Sequence, residues 1–377
     1  LPAVTLFGVA TGGLHPVIGL RLAGLGQGEI VVGAVAAAFY SGAFAGALGC
    51  RYLVGVLGYR RSFAVAAGVA CLATAALALA DLWWVWLVLR LLAGGALGAY
   101  YVIVESCIIH ATRPTERSIN LAAYETVRLA AIASGPLVLS LAAIVSDFLG
   151  AALAMLVAGL SLAFVREEPS MGPDADPARA SLSGVISRAP AALAACLAAG
   201  TYAGSFYGLG ALFASNLGWP NASVPAFMTA VLLAPVVTQV PVGSLADRFG
   251  RRFLILATTG MAVVVGALLS FGFGGPFTMV ALAALFGGAC YPLYSLGVGL
   301  MGESVEAREV VAADGLANVA YNIGAIGGPL AAAATMALVG PPGLYVFLSG
   351  TVLLVPALLL LTSRAACLRP GCCAASA

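Results

Sequence analysis

Residues 223–272 read SVPAFMTAVLLAPVVTQVPVGSLADRFGRRFLILATTGMAVVVGALLSFG. Two uncharged apolar runs, 223–243 and 253–272, flank a short stretch that carries Asp247, Arg248, Arg251 and Arg252. At a rise of 1.5 Å per residue, a helix of about 20 residues spans about 30 Å, the hydrocarbon thickness of a bilayer. A barrel strand would alternate apolar and polar residues over about ten positions. These runs do not alternate, so they read as two membrane-spanning helices joined by a charged turn.

The rest of the chain extends that reading. Of 377 residues, 62% are hydrophobic and 8% are charged, against roughly 25% charged in an ordinary soluble domain. So few charges cannot cover a soluble surface of this size, and the mean hydropathy of +1.06 agrees. A lipid-facing backbone must satisfy its own hydrogen bonds, which leaves helices here. Twelve apolar segments fit: 2–24, 29–50, 62–80, 83–108, 119–145, 149–165, 190–213, 223–243, 253–272, 276–300, 310–336 and 343–362. The fold class expected is all-α integral membrane, with 12 transmembrane helices. The polar stretch 166–189 differs from the other short connections. It divides the chain into an N-terminal bundle (1–165), a linker (166–189), a C-terminal bundle (190–363) and a tail (364–377).

All 17 basic residues are arginine. The even-numbered connections hold Arg60, Arg61, Arg113, Arg117, Arg166, Arg179, Arg188, Arg248, Arg251, Arg252 and Arg308, and the tail holds Arg364 and Arg369. The odd-numbered ones hold little beyond Arg21. Positive residues stay on the cytoplasmic side, so both termini and the linker are expected there, in a multi-pass inner-membrane protein.

The two halves repeat. Gly94-Gly95-Ala96 recurs as Gly287-Gly288-Ala289, and Gly135-Pro136-Leu137 as Gly328-Pro329-Leu330, both at an offset of 193. Gly58, followed by Arg60 and Arg61, recurs at an offset of 192 as Gly250 with Arg251 and Arg252. Parallel repeats are the mark of a transporter built from two pseudo-symmetric six-helix bundles.

The turn between segments 8 and 9, Gly243-Ser-Leu-Ala-Asp247-Arg248-Phe-Gly250-Arg251-Arg252, resembles the loop signature of the major facilitator superfamily. The matching turn between segments 2 and 3 is eroded: Arg51 replaces the first Gly, Gly55 and Val56 replace Asp-Arg, and Gly58, Arg60 and Arg61 remain. Arg90-x-x-x-Gly94 is similar to the family's helix-4 motif. Val104-Glu105-Ser106, Leu121-Ala-Ala-Tyr124 and Ser205-Phe-Tyr207-Gly208 resemble the YcaD-like bacterial subgroup. The resemblance covers essentially the whole chain and implies the two-bundle fold and alternating access, but no particular substrate. It also implies that segments 1, 4 and 5 line a central cavity. The charged turn is expected to act as a cytoplasmic gate, through Gly243, Asp247, Arg248, Gly250, Arg251 and Arg252, with Arg60 and Arg61 opposite. A carboxylate paired with arginines there would have to part before the bundles open.

Ionisable groups inside a membrane are costly and mark function by default. Segments 1, 4 and 5 carry His15, Arg90, Glu105, Glu125 and Arg128. Glu125 and Arg128 are three apart and share one helix face. At the repeat offset Glu125 becomes Asn318 and Arg128 becomes Tyr321. The C-terminal half adds Tyr202, Tyr207, Gln239, Tyr291 and Tyr294 but no buried charge. The expected pathway has one charged wall and one aromatic, hydrogen-bonding wall, with His15, Arg90, Glu105, Glu125, Arg128, Tyr207, Tyr294, Asn318 and Tyr321 as its residues. Arg90 and Arg128 suit a carboxylate or phosphate, and Glu105 or Glu125 suits a coupling proton. Plainer roles stand beside these. Glu125 can simply neutralise Arg128, Glu105 can pair with Arg117, His15 can pack beside Gly12, Gly13 and Pro16, and tyrosines pack helix bundles anyway.

The function expected is secondary active transport of a small organic solute, anionic or amphipathic, coupled to protons, by a monomer with no cofactor, no bound metal and no nucleic-acid partner. No phosphate-binding loop with Lys is present, so ATP coupling by this chain is not expected. No catalytic constellation sits at a workable spacing, so an enzyme is not expected. Two alternatives stay open. The eight cysteines and seven methionines permit a transition-metal (copper-type) transporter, although Cys367, Cys372 and Cys373 lack paired spacing and a nearby histidine. The eroded first turn permits a non-transporting assembly or sensor protein.

Overall fold

The computed structural model describes residues 2–112, 116–141, 147–162, 186–306 and 309–367. Linker residues 166–185, with Arg166 and Arg179, lie outside them, as do Arg113, Arg308, Arg369, Cys372 and Cys373 and the side chains of Arg117, Arg364 and Cys367. Among the described residues twelve main helices follow one another. They are α1 (Pro2–Gly24), α2 and α3 (29–57 and 59–77 of the stretch Glu29–Leu77, kinked at Gly58), α4 (Trp83–Ala111), α5 (Arg117–Leu141) and α6 (Asp147–Leu162). The second half supplies α7 (Pro190–Asn216), α8 (Val224–Phe249), α9 (Arg251–Ser270), α10 (Pro276–Cys290, continuing as Leu293–Gly302), α11 (Val310–Val339) and α12 (Gly343–Cys367). No strand occurs among the described residues. The fold is the expected one, two pseudo-symmetric six-helix bundles.

The repeat is written into the backbone. Gly58 (φ 77°) and Gly250 (φ 88°) both take the left-handed conformation, which an L side chain adopts only at a cost. Each reverses the chain within one residue, from α2 into α3 and from α8 into α9.

A second correspondence was not evident from the sequence motifs. Pro136 cannot donate to the carbonyl four residues earlier, that of Ile132, and Pro329 likewise frees the carbonyl of Ala325. Gly12 of α1 packs so closely on the Ile132 carbonyl that no Cβ could be added, and Gly204 of α7 packs in the same way on the Ala325 carbonyl. Gly8 lies against the Arg128 carbonyl and Gly200 against that of Tyr321. Thus the α1/α5 crossing recurs as the α7/α11 crossing. Contact between a Cα–H and a carbonyl is worth about 0.5–1 kcal/mol, and it gives a freed carbonyl a partner inside lipid. Pro292 frees a third carbonyl, that of Gly288, and the Thr238 hydroxyl of α8 donates to it at 3.0 Å. This break divides α10, which the sequence pattern presents as one run.

The bundles meet along α2–α11, α5–α8 and α1–α7. At one end the seams are tight. Gly33 presses on the Pro329 carbonyl and Gly208 on Ala36. The Leu137 amide donates to Thr229 Oγ1 at 3.2 Å, and Asn216 donates to Glu29 at 3.1 Å. Towards the other end, which carries the arginines of 60–61 and 248–252, Gly49, Gly243 and Gly315 on the same helices meet open space.

Gly12→Ala and Gly204→Ala should each lower stability by about 1–3 kcal/mol, because a methyl group there overpacks against backbone. Gly315→Ala, facing open space, should leave it nearly unchanged. Thermal unfolding of the three purified variants in one detergent checks this.

Candidate functional site

The crossings that fix α5 and α11 also fix Arg128 and Tyr321, which occupy equivalent places in the two halves. Arg128 and Glu125 lie one turn apart on α5, and their side chains meet. Nε of Arg128 donates to Glu125 Oε2 at 2.8 Å, and Nη2 donates to Oε1. The guanidinium also lies 5.1 Å from the centre of the Tyr101 ring. This two-pronged pair keeps both charges satisfied in a partly dry place, since the side chains are 21% and 36% exposed. Such a geometry is among the stronger ion pairs.

Around the pair stand groups from both bundles. Tyr207, Tyr291 and Tyr321 of the C-terminal half lie within Coulomb reach of Arg128. Tyr294 packs edge-on to Tyr321 at 5.2 Å, and Asn318 is beside Tyr294. The Asn318 side chain in turn accepts from Asn322 at 2.9 Å. Glu105 of α4 is near Arg128, Glu125 and Tyr124. Among the described residues it forms no ion pair. The charged wall and the tyrosine wall therefore do face each other.

His15 and Arg90 occupy a different place. His15 is 7% exposed, lies 4.9 Å from the Tyr207 ring across the α1–α7 seam and meets Phe39 edge-on at 5.6 Å. Arg90 is 3% exposed, and its guanidinium stacks 3.8 Å from the centre of the Phe39 ring. Its Nε has no hydrogen-bond partner among the described residues. A cation–π contact of this kind is worth about 2 kcal/mol when desolvated. Arg90 also borders a cavity of about one water between α1, α2, α3, α4 and α6, with Thr11 and Thr74 on its wall. The two guanidinium groups thus pack on different rings, Arg90 on Phe39 and Arg128 on Tyr101.

Three residues beside the pathway escaped sequence reasoning. Tyr40 is close to Tyr291, Tyr321 and Arg90, Tyr101 stacks against Arg128, and Asp314 neighbours Tyr294. Tyr40 and Tyr101 lie in runs that are apolar all round, so periodicity cannot tell their pathway face from their lipid face.

The charged turn pairs within its own bundle. Asp247 lies 3.7 Å from Arg251, and Arg251 also reaches Glu303 at the end of α10. Arg248 lies 5.4 Å from the Phe249 ring, while Arg252, Arg60 and Arg61 are exposed. Arg188 pairs with Glu309 at 2.8 Å. Gly243 meets open space, and Gly250 makes the reversal. Cys50, Cys71, Cys107, Cys196 and Cys290 are free thiols. Among the described residues no three His, Cys, Asp or Glu side chains converge as a metal site would need.

Comparison with known proteins gives a consistent result. The family model described as Major Facilitator Superfamily matches residues 1–227 and 191–366. An uncharacterized MFS-type transporter of Yersinia enterocolitica is 28% identical over 333 residues, 87% of this chain and 86% of the relative. The uncharacterized MFS-type transporter YcaD of Escherichia coli is 28% identical over 334 residues, with the same coverage. Among solved structures, a mutant of the nucleoside transporter NupG superposes with a TM-score of 0.81 at 12% identity, over 96% of this chain and 97% of that one. A bacterial homologue of the human lysosomal transporter Spinster, inward-facing and occupied, gives a TM-score of 0.73 at 14% identity, over 96% and 95%.

In a double-mutant cycle, Glu125→Gln and Arg128→Gln should show a coupling of about 1–2 kcal/mol. That is above an exposed pair and below a fully buried one. Unfolding midpoints of the two single variants and the double variant supply the measurement.

Proposed function

The chain belongs to the Major Facilitator Superfamily, and we propose on that premise that it is a secondary active transporter, moving a small organic solute by alternating access and coupled to protons. The observation that carries the proton coupling is Glu105. It is a half-buried carboxylate inside a membrane span, close to Arg128 and Glu125 yet outside their ion pair. A carboxylate in that position takes up and releases a proton without breaking a salt bridge. Glu125 is less suited, because its proton would strand Arg128.

Alternating access is supported by the two-bundle fold and by the tight seam contacts of Gly33 with Pro329 and Gly208 with Ala36. The opposite end carries the arginines, and the positive-inside rule makes it cytoplasmic, with both termini inside. The described state then holds these outer seam contacts closed. The bacterial relatives favour the inner membrane. In this state Asp247, Arg251 and Glu303 stay within one bundle. In the outward-open state the charged turn exchanges these partners for contacts with the other bundle, next to Arg60 and Arg61. Tyr207, Tyr294, Asn318 and Tyr321 bind the solute opposite the Glu125–Arg128 pair. His15 closes the pathway above it against Tyr207, and Arg90 braces α4 behind Phe39.

Proteoliposomes with an imposed pH gradient test the coupling. Gradient-driven solute movement should collapse with a protonophore. It should fall about tenfold or more in Glu105→Gln, the lower part of the range for a lost proton-transfer group, while exchange without a gradient continues. Movement indifferent to the gradient in the wild type would remove proton coupling. Gly33→Leu, which cannot close against Pro329, should hold the protein outward-open and slow transport about tenfold or more. Labelling of single cysteines placed along the α2–α11 seam reads that shift.

A further inference from the structure

We infer that the N-terminal bundle carries a binding site for one small monovalent inorganic anion, a chloride-sized ion held beside Arg90. Arg90 is a permanent cation inside the span Trp83–Ile109 and is 3% exposed. A charge in that setting needs a partner of opposite sign. Among the described residues Arg90 makes no ion pair. The polar side chains near it, His15, Tyr40, Thr11 and Thr74, include no acid. The Phe39 ring takes one face of the guanidinium at 3.8 Å, but a ring offers a quadrupole and no net charge. The buried Nε still has no acceptor among the described residues.

Arg90 lines a cavity of about 10 Å³ between α1, α2, α3, α4 and α6, which is room for one water-sized guest. The Thr11 hydroxyl on its wall is committed to the Phe7 carbonyl at 2.8 Å. The Thr74 hydroxyl reaches the Met155 sulfur at 3.6 Å, a weak acceptor, so it is free to turn to a better one. Arg90 Nε–H and Thr74 O–H are thus two buried donors without a strong acceptor at one cavity. A water would accept from both and leave the charge uncompensated. A monovalent anion accepts from both and cancels it. Met155 is unbranched and adaptable, and its side chain gives way to an ion slightly larger than water.

The repeat sets this place apart from its counterpart. At offsets of 192 and 193, Leu14 becomes Phe206, Thr74 becomes Gly266, Arg90 becomes Ala283 and Ala93 becomes Phe286. Phe206 and Phe286 are fully buried, and a Cβ added to Gly266 would fall 2.9 Å from the Phe286 ring. The bundle without the cation fills the corresponding place with rings. The bundle with it keeps a cavity and two hydroxyls there.

The test uses the purified full chain exchanged into sodium gluconate, titrated with sodium chloride at constant ionic strength and followed by thermal unfolding. An ion that binds only the folded state raises the midpoint by mass action. The wild-type midpoint should rise with chloride and saturate. Sulfate, which acts by exclusion from the protein surface, should give no saturating rise. Arg90→Met should remove the chloride response. Thr74→Val should weaken the apparent chloride affinity about tenfold, the loss of one hydrogen bond to a charged acceptor. Equal wild-type midpoints in chloride and gluconate would overturn the inference and leave a water in the cavity. So would an equal saturating rise with sulfate, or a chloride response kept in Arg90→Met. Should Arg90→Met not fold, an unchanged chloride affinity in Thr74→Val overturns the inference by itself. The readout is binding, so a failure of solute movement in proteoliposomes removes the transporter and leaves the anion site standing.

Discussion

Inside a bilayer every carbonyl that loses its helical donor must find another partner or remain a standing cost. Of the prolines inside its helices, those at 136, 292 and 329 each leave such a carbonyl with an identified partner. Two are covered by the bare Cα of a glycine on the neighbouring helix, Gly12 and Gly204. The third receives the Thr238 hydroxyl. The glycine contacts require helix axes to approach with no side chain between them, and that approach sets where α5 and α11 lie relative to α1 and α7. Arg128 and Tyr321 are one turn before those freed carbonyls. The position of the site therefore follows from how two carbonyls are satisfied.

The repeat explains why both halves use the same solution and yet differ in chemistry. Backbone-determining positions are kept: Gly8 and Gly200, Gly12 and Gly204, Gly58 and Gly250, Pro136 and Pro329. Pathway-facing positions diverge: Glu125 faces Asn318 in the comparison of the halves, and Arg128 faces Tyr321. A glycine in contact with a carbonyl tolerates nothing larger. A side chain pointing into a water-accessible space is limited only by its ligand.

Fold class was legible because span length and hydropathy are set by the bilayer and read directly from runs of residues. The pairing of Glu125 with Arg128 was legible too, because three-residue spacing on a helix is local geometry. Tyr40, Tyr101 and Asp314 were not, because a helix that is apolar on both faces carries no periodic signal to separate pathway from lipid. The separation of Arg90 from Arg128 was also hidden. A place within an apolar span says nothing about which way a side chain turns, and only the packing on Phe39 decides that. The break at Pro292 was hidden for a related reason, since a proline within a long apolar run reads as tolerated until its freed carbonyl is traced.

The ion pairs described among these residues share one property. Glu125–Arg128 lies within a single helix, Asp247–Arg251 and Arg251–Glu303 lie within the C-terminal half, and Arg188–Glu309 ties the end of the linker to that half. The described contacts across the α1–α7, α2–α11 and α5–α8 seams are neutral or aromatic apart from the exposed Asn216–Glu29 hydrogen bond. Leaving this state therefore separates surfaces whose described contacts are mostly uncharged. Its rate should respond weakly to ionic strength, which screens exposed charges, and should carry the heat-capacity signature of apolar surface gaining or losing contact with water.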